Sequence, residues 1–125
     1  MGTILVVAGR DRGGYYQLTE DAVVIGRDDT CDIQIVDEMI SRRHLQISRK
    51  GEVESPTYFV SDLKSANGVF INGRQVSEER ALHDGDTIKL GETKLFFSTK
   101  RFRDLDTAMM YFKQRGQQDK GTIVK

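Results

Sequence analysis

The chain has 125 residues, of which 38% are hydrophobic and 30% are charged, so it is long enough for one packed core and short for two domains. Its 19 basic and 19 acidic side chains cancel, which removes the global field that draws proteins onto nucleic acid or anionic membranes. With one cysteine and two histidines, neither an intrachain disulfide nor a metal site is expected. We therefore expect no cofactor, no nucleic-acid partner and no membrane partner.

Membrane and export signals are also missing from the sequence pattern. No apolar run approaches the ~20 residues of a transmembrane helix. The first residues lack the basic and apolar regions of a signal peptide. A cytoplasmic location is the expectation that follows.

Short stretches rich in β-branched and aromatic residues recur along the chain, separated by turn-forming residues. This pattern favours an all-β sandwich or barrel over alternating βα units. The strand candidates are residues 4–7, 15–18, 22–25, 33–35, 44–47, 58–60, 69–71, 87–90 and 94–97.

Two local patterns refine this prediction. Asn72-Gly73 lies between two strand-like segments, and both residues tolerate the left-handed conformation of a type I′ hairpin turn. In the segment 44–47, Leu45 and Ile47 alternate with His44 and Gln46. The alternation predicts one buried face and one wet face, with the beginning of this strand near the surface.

After Ser98 the period changes to that of an amphipathic helix. Its apolar stripe consists of Leu105, Ala108, Met109 and Phe112. Asp104 is a suitable N-cap and Gly116 a suitable stop, which predicts a helix over about 104–115. The predicted organisation is a sandwich domain over 1–98 and an extension over 99–125 with a flexible end.

Two alternative roles are considered for the predicted helix. We expect it to pack on the sandwich through its apolar stripe. Weak self-association through the helix, with Tyr111 and Phe112 at the interface, is the alternative.

Three clusters of polar and glycine residues fall at predicted strand ends or in loops. They are Gly26-Arg27, Ser41-Arg42-Arg43-His44 and Ser65-Ala66-Asn67-Gly68, and Asn72-Gly73 follows after a short strand. Singly, each has an ordinary explanation as a strand exit, a charged loop or a turn. In this order, they resemble the forkhead-associated (FHA) family, whose pattern runs Gly-Arg, Ser-x-x-His, Ser-x-Asn-Gly and then Asn-Gly.

The resemblance covers residues 3–98 and implies a two-sheet β-sandwich of short, mainly antiparallel strands. It also implies a function as a signalling interaction module that binds threonine-phosphorylated segments of partner proteins. The partner would be a protein or peptide phosphorylated by a Ser/Thr kinase. No catalytic residue is expected.

The chemistry of the clusters suits such a ligand. A phosphothreonine carries about −1.5 to −2 charges and three acceptor oxygens, so its site needs fixed cations and hydroxyl or amide donors. The resemblance assigns phosphate contacts to Arg27, Ser41 and Arg42. It assigns the peptide backbone to Asn67, whose amide can both donate and accept.

The resemblance implies that other cluster residues act as scaffold. These residues are Gly26, His44, Ser65, Gly68, Asn72 and Gly73. The glycines permit backbone shapes that larger residues resist, and the histidine braces loops. Ala66 departs from the family pattern because relatives often have serine or threonine there, so one hydroxyl contact to phosphate is absent.

Selectivity beyond the phosphate concerns the third residue after phosphothreonine, where family members commonly discriminate. Glu38-Met39-Ile40 precedes Ser41 and contains no arginine or lysine, which argues against a preference for an acidic side chain. An apolar side chain is the expectation. Ordinary loop packing of Met39 and Ile40 is the alternative.

Three other functions compete with this one. An enzyme would need a nucleophile, an acid–base pair or a metal, and His83-Asp84 belongs to a turn before a strand instead. A nucleic-acid binder is suggested by short basic patches such as Arg42-Arg43 and Arg49-Lys50. A phosphate-independent scaffold or self-association domain would keep the same fold.

Overall fold

The computed structural model describes residues 2–100 and 106–114, and within them the chain forms eleven strands and one helix, α1, over 106–114. The strands are β1 (Gly2–Ala8), β2 (Tyr15–Leu18), β3 (Ala22–Gly26), β4 (Ile33–Gln34), β5 (Leu45–Gly51), β6 (Pro56–Asp62), β7 (Val69–Ile71), β8 (Arg74–Gln75), β9 (Arg80–Leu82), β10 (Thr87–Leu90) and β11 (Thr93–Ser98).

The strands form two sheets. One has six strands in the order β2-β1-β11-β10-β7-β8, and the other has five in the order β4-β3-β5-β6-β9. Neighbouring strands are antiparallel, with the exception of β3 and β4, which run parallel. The predicted all-β sandwich of two mainly antiparallel sheets is confirmed.

The core lies between the two sheets and is built by alternating side chains. Ile4 and Val6 of β1 and Leu95 and Phe97 of β11 all belong to the main buried cluster. Tyr58 enters it from the other sheet and meets Phe97 edge to face, with ring centroids 5.3 Å apart. Each fully buried side chain of this size contributes about 1.5–3 kcal/mol to folding.

Every predicted strand overlaps a strand of the structure; of the two other strands, β8 is the second arm of the predicted hairpin, and one strand was missed. The missed strand is β9, which has only three residues and pairs with β6. The predicted hairpin turn is confirmed, because Asn72 and Gly73 have φ angles of 51° and 87° between the paired residues Ile71 and Arg74.

The prediction that His44 lies on a wet face near the surface is wrong. His44 is 0% exposed and precedes β5, which begins at Leu45. Both ring nitrogens have hydrogen-bond partners, Ser41 in the same loop and Gly68 in another. A polar side chain can be buried when its hydrogen bonds are satisfied. Gln46 is half-buried.

Helix α1 packs on the outer face of the six-stranded sheet, as predicted. Ala108 is buried against Leu5 and Phe96, and the Phe112 ring lies 5.1 Å from that of Phe96. The Tyr111 hydroxyl donates to Asp84 Oδ2 at 2.8 Å. Side chains that were candidates for self-association therefore make contacts within the chain.

The predicted helix cap, Asp104, and the predicted helix stop, Gly116, lie outside the described residues. Leu105 of the apolar stripe lies outside them as well. Within residues 2–100 and 106–114, no helix is long and apolar enough to cross a membrane.

Candidate functional site

The three motif clusters meet at one end of the sandwich because three adjacent strands have an antiparallel register. Ile25 of β3 pairs with Leu45 of β5, and Leu45 pairs with Asp62 of β6. The end of β3, the start of β5 and the end of β6 therefore lie side by side. The loops β3–β4 (27–32), β4–β5 (35–44) and β6–β7 (63–68) leave from this edge.

The end of β3 and the β4–β5 loop approach each other very closely through their backbones. Arg27 N donates to Ser41 O at 3.1 Å, and Asp28 N donates to Arg42 O at 3.1 Å. A Cβ atom on Gly26 would lie 2.2 Å from Arg42 O. Glycine is required at position 26 because no side chain fits between β3 and the β4–β5 loop.

Arg27 is an exposed cation held in place by its own loop. Its Nε donates to Ile40 O at 2.9 Å. Within residues 2–100 and 106–114, no carboxylate pairs with its guanidinium. The four N–H groups on its terminal nitrogens are therefore available to an anion beside Ser41.

Arg42 lies next to the β3–β4 loop and is exposed. The pKa of Asp28 is lowered mainly by a hydrogen bond from the Thr30 backbone, and the positive charge of Arg42 contributes to the same shift. This electrostatic effect indicates that the two charged groups are close. A second exposed cation therefore directly follows Ser41 in the chain, next to the β3–β4 loop.

Ser41 connects two loops through its side chain. Its Oγ accepts a hydrogen bond from Ala66 N at 3.0 Å. A hydroxyl that accepts in this way still has its own hydrogen to donate. Ser41 can therefore offer a short hydrogen bond to an anion at the surface.

His44 connects the same two loops below the surface. Its Nδ1 accepts from Ser41 N at 3.0 Å, and its Nε2 lies 2.8 Å from Gly68 O. Because Nδ1 is the acceptor, the proton belongs on Nε2, which donates to the carbonyl. The ring fixes the spacing between the β4–β5 and β6–β7 loops.

Asn67 is exposed and its Nδ2 donates to Met39 O at 2.7 Å. Its Oδ1 and second N–H remain to contact an extended peptide backbone. Ser65 shapes the turn beneath it, because Ser65 Oγ accepts from Gly68 N at 3.0 Å and Ser65 N donates to Asp62 Oδ1 at 2.9 Å.

Asp37 is an anchor that the sequence patterns did not identify. Its Oδ1 accepts from Met39 N, and its Oδ2 accepts from Glu92 N and the Thr93 hydroxyl, all at 2.8–2.9 Å. Burial by itself would raise the pKa of Asp37, but these hydrogen bonds outweigh burial and lower it. The only signal in the sequence was the residue type: an Asp side chain can accept a hydrogen bond from the backbone two residues on, here at Met39.

The placement of Asn72 and Gly73 in the site scaffold needs correction. They follow β7, one strand length from Gly68, at the opposite end of the sandwich. Asn72 bonds to Asp86 Oδ1 and to the backbone of Thr87. Because a strand separates the two motifs, closeness in sequence does not bring them together.

The β4–β5 loop also exposes apolar surface. Val36 and Met39 are 44% and 46% exposed and line a groove of about 420 Å³. Arg10 and Glu92 from neighbouring loops contribute its charged walls. Ile40 is buried in the core, so Met39 alone of the two candidate selectivity residues faces solvent.

Features that suggest catalysis have structural roles in the described chain. Asp84 accepts hydrogen bonds from Ser98 Oγ, Thr99 N and Tyr111, while His83 is exposed. Burial raises the pKa of Cys31, whose thiol donates to a backbone carbonyl. No group of three or more metal-ligating side chains occurs within 2–100 and 106–114.

The fold and the cross-linked loops define the class: a two-sheet β-sandwich whose loops at one end are joined by hydrogen bonds. The sequence profile of the FHA domain matches residues 23–91, which is more than half of the chain. The chain belongs to the FHA domain family.

Among curated relatives, the FHA domain-containing protein FhaA of Mycobacterium tuberculosis is 39% identical over 66% of this chain and 15% of its own length. The oxoglutarate dehydrogenase inhibitor of Corynebacterium jeikeium is 32% identical over 75% of this chain and 62% of its own. The chain thus spans less than two thirds of the length of these two relatives.

A solved structure gives the same family. This structure was solved for a structural and functional analysis of phosphothreonine-dependent FHA domain interactions. It superposes on this chain with a TM-score of 0.69, and the two sequences are 33% identical. The match covers 81% of this chain and 98% of that one. The expected FHA β-sandwich is confirmed at the level of fold and family.

Proposed function

We propose that this loop edge binds short threonine-phosphorylated segments of partner proteins. Arg27, Ser41 and Arg42 would hold the phosphate, and Asn67 would hold the peptide backbone. The observation that carries the proposal is the position of Ser41. Its hydroxyl accepts from Ala66 N, and its carbonyl accepts from Arg27 N, so a free hydroxyl hydrogen stands beside two exposed cations.

The charge of the cradle fits a phosphate. Hydrogen bonds from ionised donors to a phosphate are roughly twice as strong as neutral ones, and an arginine fork can donate two in parallel. Two arginines roughly balance the −1.5 to −2 charges of a phosphorylated residue. The small contact with a short peptide should give a binding free energy near about −8 kcal/mol, which is a dissociation constant of about one micromolar. Ordering the peptide offsets part of the energy gained from the contacts.

We infer that selectivity at the third residue after the phosphothreonine is for an apolar side chain. Met39 and Val36 expose apolar surface beside the Asn67 contact, which supports this preference. Within the segment Glu38-Met39-Ile40 no cation is available to pair with an acidic side chain.

The class of partner follows from the ligand. The partner would be the substrate of a Ser/Thr kinase, so the module would report phosphorylation without acting on the phosphate. A cytoplasmic location fits a chain with a single, unpaired Cys31. The chain would act by binding and not as an enzyme.

The test is a titration of an oriented phosphothreonine peptide library with the wild-type chain, Arg27→Ala and Arg74→Ala. Arg74 is an exposed arginine at the opposite end of the sandwich, so its variant controls for the loss of one positive charge. We expect Arg27→Ala alone to lose binding. Equal binding of phosphorylated and unphosphorylated peptides by the wild type would refute the proposal and favour a phosphate-independent scaffold.

A further inference from the structure

Among residues 2–100 and 106–114, α1 covers only part of the outer face of the six-stranded sheet. The helix packs over β1 and β11, where it meets Leu5 and Phe96. Beside it, across β10 and β7, lies a groove of about 310 Å³. The groove is lined by Phe70, Asn72, Gly73, Thr87, Lys89 and Lys94.

The cations of this groove are brought together by strand register. Lys89 of β10 pairs directly with Lys94 of β11, and Lys89 also pairs with Phe70 of β7. Side chains of directly paired residues on one face have Cβ atoms about 4.5–5.5 Å apart, and like charges in such a pair repel. The register therefore concentrates positive charge at one place on an open face.

Nothing in the described chain neutralises this charge. Neither lysine takes part in an ion pair within residues 2–100 and 106–114. Lys89 Nζ instead lies 5.7 Å from the centroid of the Phe70 ring. The floor of the groove is consequently aromatic, and its rim carries two ammonium groups.

We propose that this outer groove, formed by Phe70, Thr87, Lys89 and Lys94, binds an unphosphorylated acidic segment of a partner protein. Carboxylates of the segment would neutralise the lysine pair, and an apolar side chain would cover Phe70. Two lysines are too few to follow a nucleic-acid backbone, whose binders neutralise several phosphates. The small groove predicts weak and transient binding, separate from the phosphopeptide site.

The test uses the ¹⁵N-labelled chain and, as the probe, an unphosphorylated hexapeptide of four glutamates and two leucines. We expect amide shifts centred on Phe70, Lys89 and Lys94, and a dissociation constant that rises with salt. Shifts centred on Arg27 and Ser41, or no saturable shifts, would overturn the proposal. This mapping uses the wild-type chain and does not depend on a variant that folds.

A double variant, Lys89→Glu with Lys94→Glu, tests the charge requirement. It should weaken hexapeptide binding by about tenfold or more, because two surface charge pairs are reversed. Lys100→Glu with Lys113→Glu makes the same charge change at exposed positions outside the groove and should bind normally. Equal weakening by both double variants would contradict a specific site. Retained binding of the phosphothreonine library by both would show that the fold is intact.

Two further experiments test whether the groove binds RNA or a second copy of this chain instead. An unstructured RNA oligonucleotide that shifts the groove residues at lower concentration than the hexapeptide would overturn the assignment to an acidic segment. So would a dimer in sedimentation that the Lys89→Glu, Lys94→Glu variant dissociates, because the groove would then bind a second copy of this chain.

Discussion

Gly26 and Arg42 are separated by so little space that a Cβ atom on Gly26 would lie 2.2 Å from the carbonyl oxygen of Arg42. The contact holds the β4–β5 loop, and with it Ser41, against the end of β3. The glycine of the Gly-Arg motif thus sets the spacing between the end of β3 and the loop that carries Ser41.

Gly26→Ala should lower both stability and phosphopeptide affinity. The new methyl group must displace the backbone of the β4–β5 loop, at a cost of about 1–3 kcal/mol or more. Urea unfolding and peptide titration measure the two effects. The control is Gly73→Ala, where a Cβ meets no atom within 4 Å and only the φ of +87° is unfavourable. It should lose about 1 kcal/mol of stability and keep normal affinity.

His44→Phe should destabilise the chain by about 1–3 kcal/mol, because the buried Gly68 carbonyl and the Ser41 amide lose their partner and a larger ring must fit a fully buried site. Peptide affinity should fall as the two loops move apart. His83→Phe, at an exposed histidine, should change neither quantity. Normal peptide affinity in His44→Phe would show that the histidine does not position the site.

Ala66→Thr should strengthen phosphopeptide binding by about two- to tenfold, since a hydroxyl added beside Ser41 can donate one more hydrogen bond to the phosphate. Ala66→Val has the same shape without the hydroxyl and should show no gain. Isothermal titration of both variants with one phosphothreonine peptide measures the difference. A gain in both would assign the effect to packing.

Asp37→Asn should destabilise the chain at neutral pH and much less in acid. The pKa of Asp37 is lowered on folding by its hydrogen bonds, so its charged form stabilises the fold above the carboxyl's ordinary pKa. That contribution is lost progressively as the pH falls from the carboxyl's ordinary pKa of about 4 towards the lower pKa of the folded state, where the native side chain takes up a proton. Unfolding free energies at several pH values should therefore converge for the two proteins; a constant gap would contradict the assignment.

Tyr111→Phe should lower stability by about 0.5–1.5 kcal/mol through the loss of its hydrogen bond to Asp84, without a change in phosphopeptide affinity. The comparison is Tyr16→Phe on β2, whose hydroxyl has no hydrogen-bond partner within residues 2–100 and 106–114. Thermal unfolding of both variants measures the difference. Equal stability of the two would mean that Asp84 does not hold the helix.

Local patterns predicted the strands because alternation and turn residues act over a few positions. They did not reveal β9, since Arg80-Ala81-Leu82 is short and becomes a strand only by pairing with β6. They also did not reveal Asp37, because its partner Glu92 is 55 residues away in sequence. His44 was misplaced for the same reason: its burial depends on the Gly68 carbonyl of another loop.

The hydrogen bonds that join Ser41 to Ala66 and Asn67 to Met39 are made within the chain itself. A recognition surface that is assembled beforehand would capture peptides at the orientation-limited rate of about 10⁵–10⁷ M⁻¹ s⁻¹. With a micromolar affinity, a complex would then last from about a tenth of a second to ten seconds. On that timescale the module would release its partner between encounters, so a phosphatase could remove the mark soon after the kinase stops.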